Sequence, residues 1–188
     1  MLKNKKRIIA LTGAGISKES GIDTFMERPE VRDALYREIA QNNPEHYRNT
    51  IKQMKAQVDH ALPNDAHLAL AEYGVEIITM NIDSLHEKAG SKPLNLHGTL
   101  PLDEELDYCE TLYNKPVLYS DRAPNYPLAI EKVLELKEGD VLLVIGASNS
   151  TAISYQLQLL AQANKVEVIQ VQSNAKDKVR PLLEELLD

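Results

Sequence analysis

The chain has 188 residues, enough for one well-buried domain and short for two, with the mixed apolar and charged composition of a globular protein. With 28 acidic against 21 basic side chains and a formal net charge of -7, it lacks the clustered cations that a general nucleic-acid backbone binder uses. The single cysteine, Cys109, excludes an internal disulfide and any zinc site built from cysteine pairs. No stretch approaches the ~20 apolar residues of a spanning helix, and the expected setting is the cytoplasm, without membrane.

The apolar run Ile8-Ile9-Ala10-Leu11 passes through Thr12 into Gly13-Ala14-Gly15 and then Ser17, the pattern of strand, tight turn and helix. Such a turn holds a diphosphate when the backbone approaches it closely and helix amides face the anion. It is equally an ordinary strand-to-helix connection, because Lys18 stands where the pattern GxGxxG has its last glycine. Phe25, the sole phenylalanine, lies on the loop beyond Gly21, as a cover over a ligand or as a core anchor. Residues 27–62 form a helical insert of two helices, with Val31, Ala34, Leu35 and Ile39 on one face and Tyr47, Ile51, Met54 and Val58 on another behind Asn43-Pro44.

Asn64 caps the next helix, and a second strand ending at Thr79 runs into Met80-Asn81-Ile82-Asp83. A third, Pro93-Leu94-Asn95-Leu96, ends at His97-Gly98. Leu100 to Lys115 lacks a clear period and carries Asp103, Glu104, Glu105, Asp107 and Glu110 around Cys109, a loop or ragged helical excursion with a solvated acidic run, a carboxylate-thiolate metal site being the lesser alternative. Pro116-Val117-Leu118-Tyr119 then reads as a short strand, followed by a loop to Pro124. Val141-Leu142-Leu143-Val144-Ile145 is a strand buried on both faces that ends at Gly146-Ala147-Ser148, and a helix opened by Pro181 closes the chain. The alternation predicts an α/β chain, a doubly wound parallel Rossmann-like sheet in a single domain, residues 1–188. Four turns then fall at carboxyl ends of strands, the edge where open α/β sheets bind ligands.

Gly13-Ala14-Gly15-Ile16-Ser17 with Ser20-Gly21-Ile22 and Phe25, then Pro63-Asn64 with His67, Asn81-Ile82-Asp83 with Leu85-His86, His97-Gly98 and Gly146-Ala147-Ser148 resemble the sirtuin motifs in order and approximate spacing. The resemblance implies an NAD-dependent protein-lysine deacylase that cleaves the nicotinamide–ribose bond and moves the acyl group to ADP-ribose. It implies NAD binding by Gly13, Ala14, Gly15, Ser20, Phe25, Asn81, Ile82, Asp83, Gly146, Ala147 and Ser148. Asp83 would hold the nicotinamide carboxamide, Asn81 would orient a water or ribose hydroxyl, and His97 would be the general base, making His97 and Asn81 the catalytic residues. Val117, Leu118 and Tyr119 would take the acyl-lysine peptide, and no metal enters the chemistry.

The residue types suit that chemistry. Nicotinamide leaves as a neutral pyridine and needs no acid, and an imidazole with pKa near ~6.5 accepts a ribose hydroxyl proton at neutral pH. Simpler roles stand beside these: Asn81 as a helix cap, His86 as a structural partner, His46 and His60 as surface or packing residues, and Ser148 as no nucleophile. Departures from the family pattern are Asp23 and Met26 beside Phe25, Met80 before Asn81, both zinc-binding cysteine pairs missing, a shortened segment 99–124, and Tyr119-Ser120-Asp121 where the family has Phe-Gly-Glu. They keep open an NAD hydrolase or ADP-ribosyltransferase, and a non-catalytic module binding NAD or ADP-ribose.

Overall fold

Five short segments, four of them rich in apolar β-branched residues, pair side by side in parallel, with strand order β3-β2-β1-β4-β5. They are Ile8–Thr12 (β1), Glu76–Thr79 (β2), Leu94–Asn95 (β3), Val141–Ile145 (β4) and Glu167–Val171 (β5). The computed structural model describes residues 6–23, 28–149 and 151–188, so Phe25 and Met26 lie outside the described residues. Every residue of β1 and β4 is buried, as expected of central strands covered on both faces.

Alternation along the strands sends Ile8 and Ala10 to one face and Ile9 and Leu11 to the other, so two cores form. The first lies under the helices Asp65–Glu72 (α5) and Ala175–Leu187 (α9), through Ala66, Leu70, Val179 and Leu183. The second lies under Tyr126–Leu134 (α7) and Ala152–Ala163 (α8), through Val133, Ile153 and Leu157. The sheet is therefore doubly wound, and its order reverses between β1 and β4, which puts the ligand-binding switch point at Gly13 and Gly146.

A third apolar cluster sits off the sheet. It joins Val31, Leu35, Tyr47, Ile51, Met54 and Val58 of the insert to Ile82, Leu100, Cys109 and Leu118. The insert holds three helices, Pro29–Ala34 (α2), Arg37–Asn42 (α3) and Pro44–Asp59 (α4), where the sequence pattern predicts two. The break falls at Tyr36, whose neighbours turn aside to pair with Tyr119: the Tyr119 amide donates to Leu35 and the Arg37 amide donates to the Tyr119 carbonyl. For the same reason residues 116–119 form no strand. Among the described residues their backbone pairs with other elements through this isolated bridge and a Val117 amide bond to the His97 carbonyl, and Pro116 has no N–H to extend a ladder. The closing helix also begins earlier than expected, at Ala175, because the stripe Ala175, Val179 and Leu183 buries itself as one face and carries the helix through Pro181.

Candidate active site

Backbone bonds draw the strand-end turns together. The Gly13 amide donates to the Ile145 carbonyl at 3.0 Å and the Gly15 amide to the Gly146 carbonyl at 2.9 Å, tying the end of β1 to the end of β4. Contact there is backbone against backbone. A Cβ on Gly15 would stand 2.5 Å from the Gly146 Cα, and one on Gly146, at φ +57°, would stand 2.4 Å from the Ile16 amide. These bonds spend two of the three turn amides, leaving Ala14 as the turn residue whose amide has no acceptor among the described residues. Ala147 is fully buried beneath the turn, and Ser148 is exposed beside it. Behind the short helix Ala14–Lys18 (α1), Asn64 donates to the Ile16 carbonyl at 2.8 Å and to the Ser20 hydroxyl at 3.0 Å.

The segment after β2 locks onto the same turn. The Met80 amide donates to the Thr12 carbonyl, and the Asn81 side chain donates to the Gly13 carbonyl at 3.0 Å and to the Ser17 hydroxyl at 3.3 Å. Ser17 in turn donates to Asp83 Oδ2 at 2.5 Å, while Asp83 Oδ1 accepts the Leu85 amide at 2.9 Å. Asp83, and not Asn81, thus caps the short helix Leu85–Lys88 (α6), behind Ser84 in the left-handed region. Burial pushes the Asp83 carboxyl above the ordinary aspartate range, against the pull of the Ser17 and Leu85 bonds. Asn81, Asp83, Ser17 and Ala14 line one side of a cavity whose other walls are apolar: Ile22, Val31, Met54, Val58, Ile82 and Leu100, with Asp23, Arg28 and Gln57 completing the lining. A buried carboxylate on a largely apolar wall can accept from an amide N–H brought into the slot.

His97 is bonded to this segment from the end of β3. Its Nδ1 lies 3.1 Å from the Met80 carbonyl, which can only accept, so the proton sits on Nδ1 and Nε2 carries a lone pair. Nε2 is 2.8 Å from the Tyr126 hydroxyl, which therefore donates to it. Burial lowers the His97 pKa, with the Met80 carbonyl opposing, so the imidazole is a neutral base at physiological pH.

Of the other histidines, His46 and His60 are exposed, as surface residues, and His86 is buried, as a structural partner; His67, expected only as part of the family motif, is also buried. His67 Nδ1 accepts the Asn64 amide, and His86 Nε2 lies 2.8 Å from the Thr12 hydroxyl. The acidic excursion becomes the 3-10 segment Asp103–Thr111, four of whose carboxylates pair with cations: Asp103 with Lys55, Asp107 with Lys52, Glu105 with Lys115 and Glu110 with Arg48. Cys109 is buried in the third apolar cluster and its thiol is pushed up to about 11. Among the described residues no group of three or more His, Cys, Asp or Glu gathers in a metal-binding arrangement.

Three site residues escaped the sequence reading. Ser17 looks like a helix-start residue, yet its hydroxyl joins Asn81 to Asp83. Arg28 reaches the cavity wall from beyond the glycine turn. Tyr126 lies 29 residues beyond His97, with no local pattern to connect the two.

A doubly wound parallel sheet with its strand-end turns bonded around a switch point defines a nucleotide-binding α/β protein of the Rossmann type. Residues 13–125 match the Sir2 family, and the chain belongs to it. It is 37% identical over 172 residues to an NAD-dependent protein deacylase of Helicobacter pylori, covering 76% of this chain and 73% of that protein. With an NAD-dependent protein deacetylase of Bacillus anthracis it shares 35% identity over 189 residues, covering 79% and 74%. The structure of a Sir2 homologue mutant in complex with ADP-ribose superposes with a TM-score of 0.82 at 25% identity, over 97% of this chain and 92% of the other. A Sir2 homologue in complex with NAD gives 0.79 at 26% identity, over 97% and 90%.

Proposed function

We propose that the chain is an NAD-dependent protein-lysine deacylase in which Asp83 holds the nicotinamide carboxamide and His97 is the general base. One observation carries the reading: the turns after β1, β2, β3 and β4 are hydrogen-bonded to one another, with a buried carboxylate on the cavity wall and a neutral imidazole fixed to the same Met80-to-Asp83 segment. Membership of the Sir2 family and the named activities of the two relatives support it.

NAD, when bound, supplies an electrophilic ribose carbon and a neutral leaving group. The protein's task is to orient and to move one proton. Asp83, accepting from Ser17 and Leu85, presents a fixed carboxylate to the carboxamide N–H. Asn81, anchored on Gly13 and Ser17, orients the nucleophile or a ribose hydroxyl. His97, with Nδ1–H committed to Met80, takes the ribose hydroxyl proton on its Nε2 side. Ser20, Gly146, Ala147 and Ser148 flank the turn that receives the diphosphate, and the same proposal gives Phe25 to the NAD site. The reading places the protein in the cytoplasm with acyl-lysine proteins as partners.

A second reading, NAD hydrolysis or ADP-ribosyl transfer, is favoured by the segment proposed for the peptide. A peptide added as a strand needs open backbone groups. Here the Tyr119 N–H and C=O are taken by Leu35 and Arg37, and the Leu118 amide donates to Asp121 at 3.2 Å. Nicotinamide release with and without an acetyl-lysine peptide separates the readings. Peptide-dependent release, falling about 100-fold or more in H97A, is the expected result. Peptide-independent release establishes the second reading, and NAD binding without release overturns both.

A further inference from the structure

We propose that Tyr126 is part of the proton path to His97: its hydroxyl receives the ribose hydroxyl proton while delivering its own to His97 Nε2. The inference rests on His97 being the base and adds the group through which that base reaches its substrate. In the structure both imidazole nitrogens are already engaged by the protein, Nδ1 by the Met80 carbonyl at 3.1 Å and Nε2 by Tyr126 at 2.8 Å. On this proposal a ribose hydroxyl approaching Nε2 meets the phenol before it meets the imidazole. The tyrosine is mounted rigidly for this part. It is the first residue of α7, its ring packs on the second core, and the preceding Asn125 donates to the Asn95 carbonyl at 2.8 Å, pinning the start of α7 to β3. The rings stand 5.9 Å apart between centroids, tilted by 53°, so the contact between them runs through the hydroxyl.

The transfer balances. The ribose O–H bond breaks as a new O–H forms on Tyr126; the original Tyr126 O–H breaks as an N–H forms on His97 Nε2. One proton has moved from ribose oxygen to imidazole, and the phenol is unchanged. Burial raises the Tyr126 pKa, so the residue stays a neutral donor, and among the described residues no charged side chain contributes to the shift at either Tyr126 or His97. A phenol held as a neutral relay suits a base whose own nitrogen is covered.

The test is Y126F in the full chain, beside H97A. Without NAD, the 15N resonance of unprotonated Nε2 in His97 is expected to move downfield in Y126F, because the lone pair loses its donor. An unchanged resonance contradicts the contact. With NAD and acetyl-lysine peptide, turnover is expected to fall about 100-fold, while exchange of labelled nicotinamide into NAD, which precedes the proton transfer, falls no more than a few-fold. Turnover at or above the wild-type rate overturns the relay and makes Tyr126 a brake. Equal loss of exchange and turnover, or a collapsed thermal melt, points to structural damage and also counts against the relay. If H97A itself turns over normally, the assignment of the base has failed, a result that Y126F alone does not produce.

Discussion

The strand-end turns and the segment 99–124 both border the proposed site, and they are held by different means. Around Gly13 the bonds are short-range between strand ends, backbone to backbone or through Asn81, Ser17 and Asp83, all nearly inaccessible. Within the segment 99–124, beside its ion pairs and its part in the third apolar cluster, a single side chain ties residues 110–121 together. Arg37 forms a bidentate pair with Asp121 at 2.9 and 2.5 Å, donates to the carbonyls of Glu110 and Leu112, each at 2.9 Å, and lies 4.1 Å under the Tyr113 ring. A planar guanidinium with five donors links four points of chain. The nucleotide half is thus specified by sheet topology, whereas residues 110–121 of the shortened module converge on one buried cation from the helical insert.

Breaking that cation should have the largest effect. Arg37→Ala leaves Asp121, 5% exposed at its side chain, without its counter-charge and frees two carbonyls, so a loss of about 3–5 kcal/mol is expected in urea unfolding. A loss below about 1 kcal/mol means the module is held by its apolar cluster alone. Next comes acid. Burial depresses the His67 pKa to about 4 and that of His86 to about 3, from 6.5. The unfolded chain then binds protons that the folded chain refuses. Stability is full above about pH 6.5 and is lost as the pH falls towards those values, with a slope approaching about 1.4 kcal/mol per pH unit for each imidazole. Unfolding midpoints at pH 7.5, 6.0 and 5.0 read the slope directly, and His86→Gln should flatten it. The smallest effect is local: Ser17→Ala removes the donor to Asp83 and the acceptor for Asn81, costing about 1–3 kcal/mol. Nicotinamide exchange should slow in the same variant because Asp83 loses its aim; unimpaired exchange would detach Ser17 from the site.

The same division governs what the sequence discloses. Runs such as Val141 to Ile145 declare buried strands, and glycines such as Gly146 mark where backbone meets backbone, so the doubly wound sheet and its strand-end turns follow from composition and order. The helical insert is legible as helices because apolar spacing is local, but its break at Tyr36 depends on Tyr119, far along the chain. Pairs such as Arg37 with Asp121, 84 residues apart, or His97 with Tyr126, leave no periodic trace; only packing reveals them. The acidic run around Cys109 is ordered by long-range pairs of the same kind, since Asp103, Glu105, Asp107 and Glu110 each go to a different lysine or arginine.

The central claim is that separate strand-end turns form one pocket for a pyridine dinucleotide. A crystal structure of the chain grown with NAD tests it most directly. The account predicts the diphosphate at Gly13 to Gly15, the carboxamide within hydrogen-bond reach of Asp83, and a ribose hydroxyl beside Tyr126 and His97. A dinucleotide bound with its nicotinamide away from Asp83, or excluded from the cleft altogether, would contradict it.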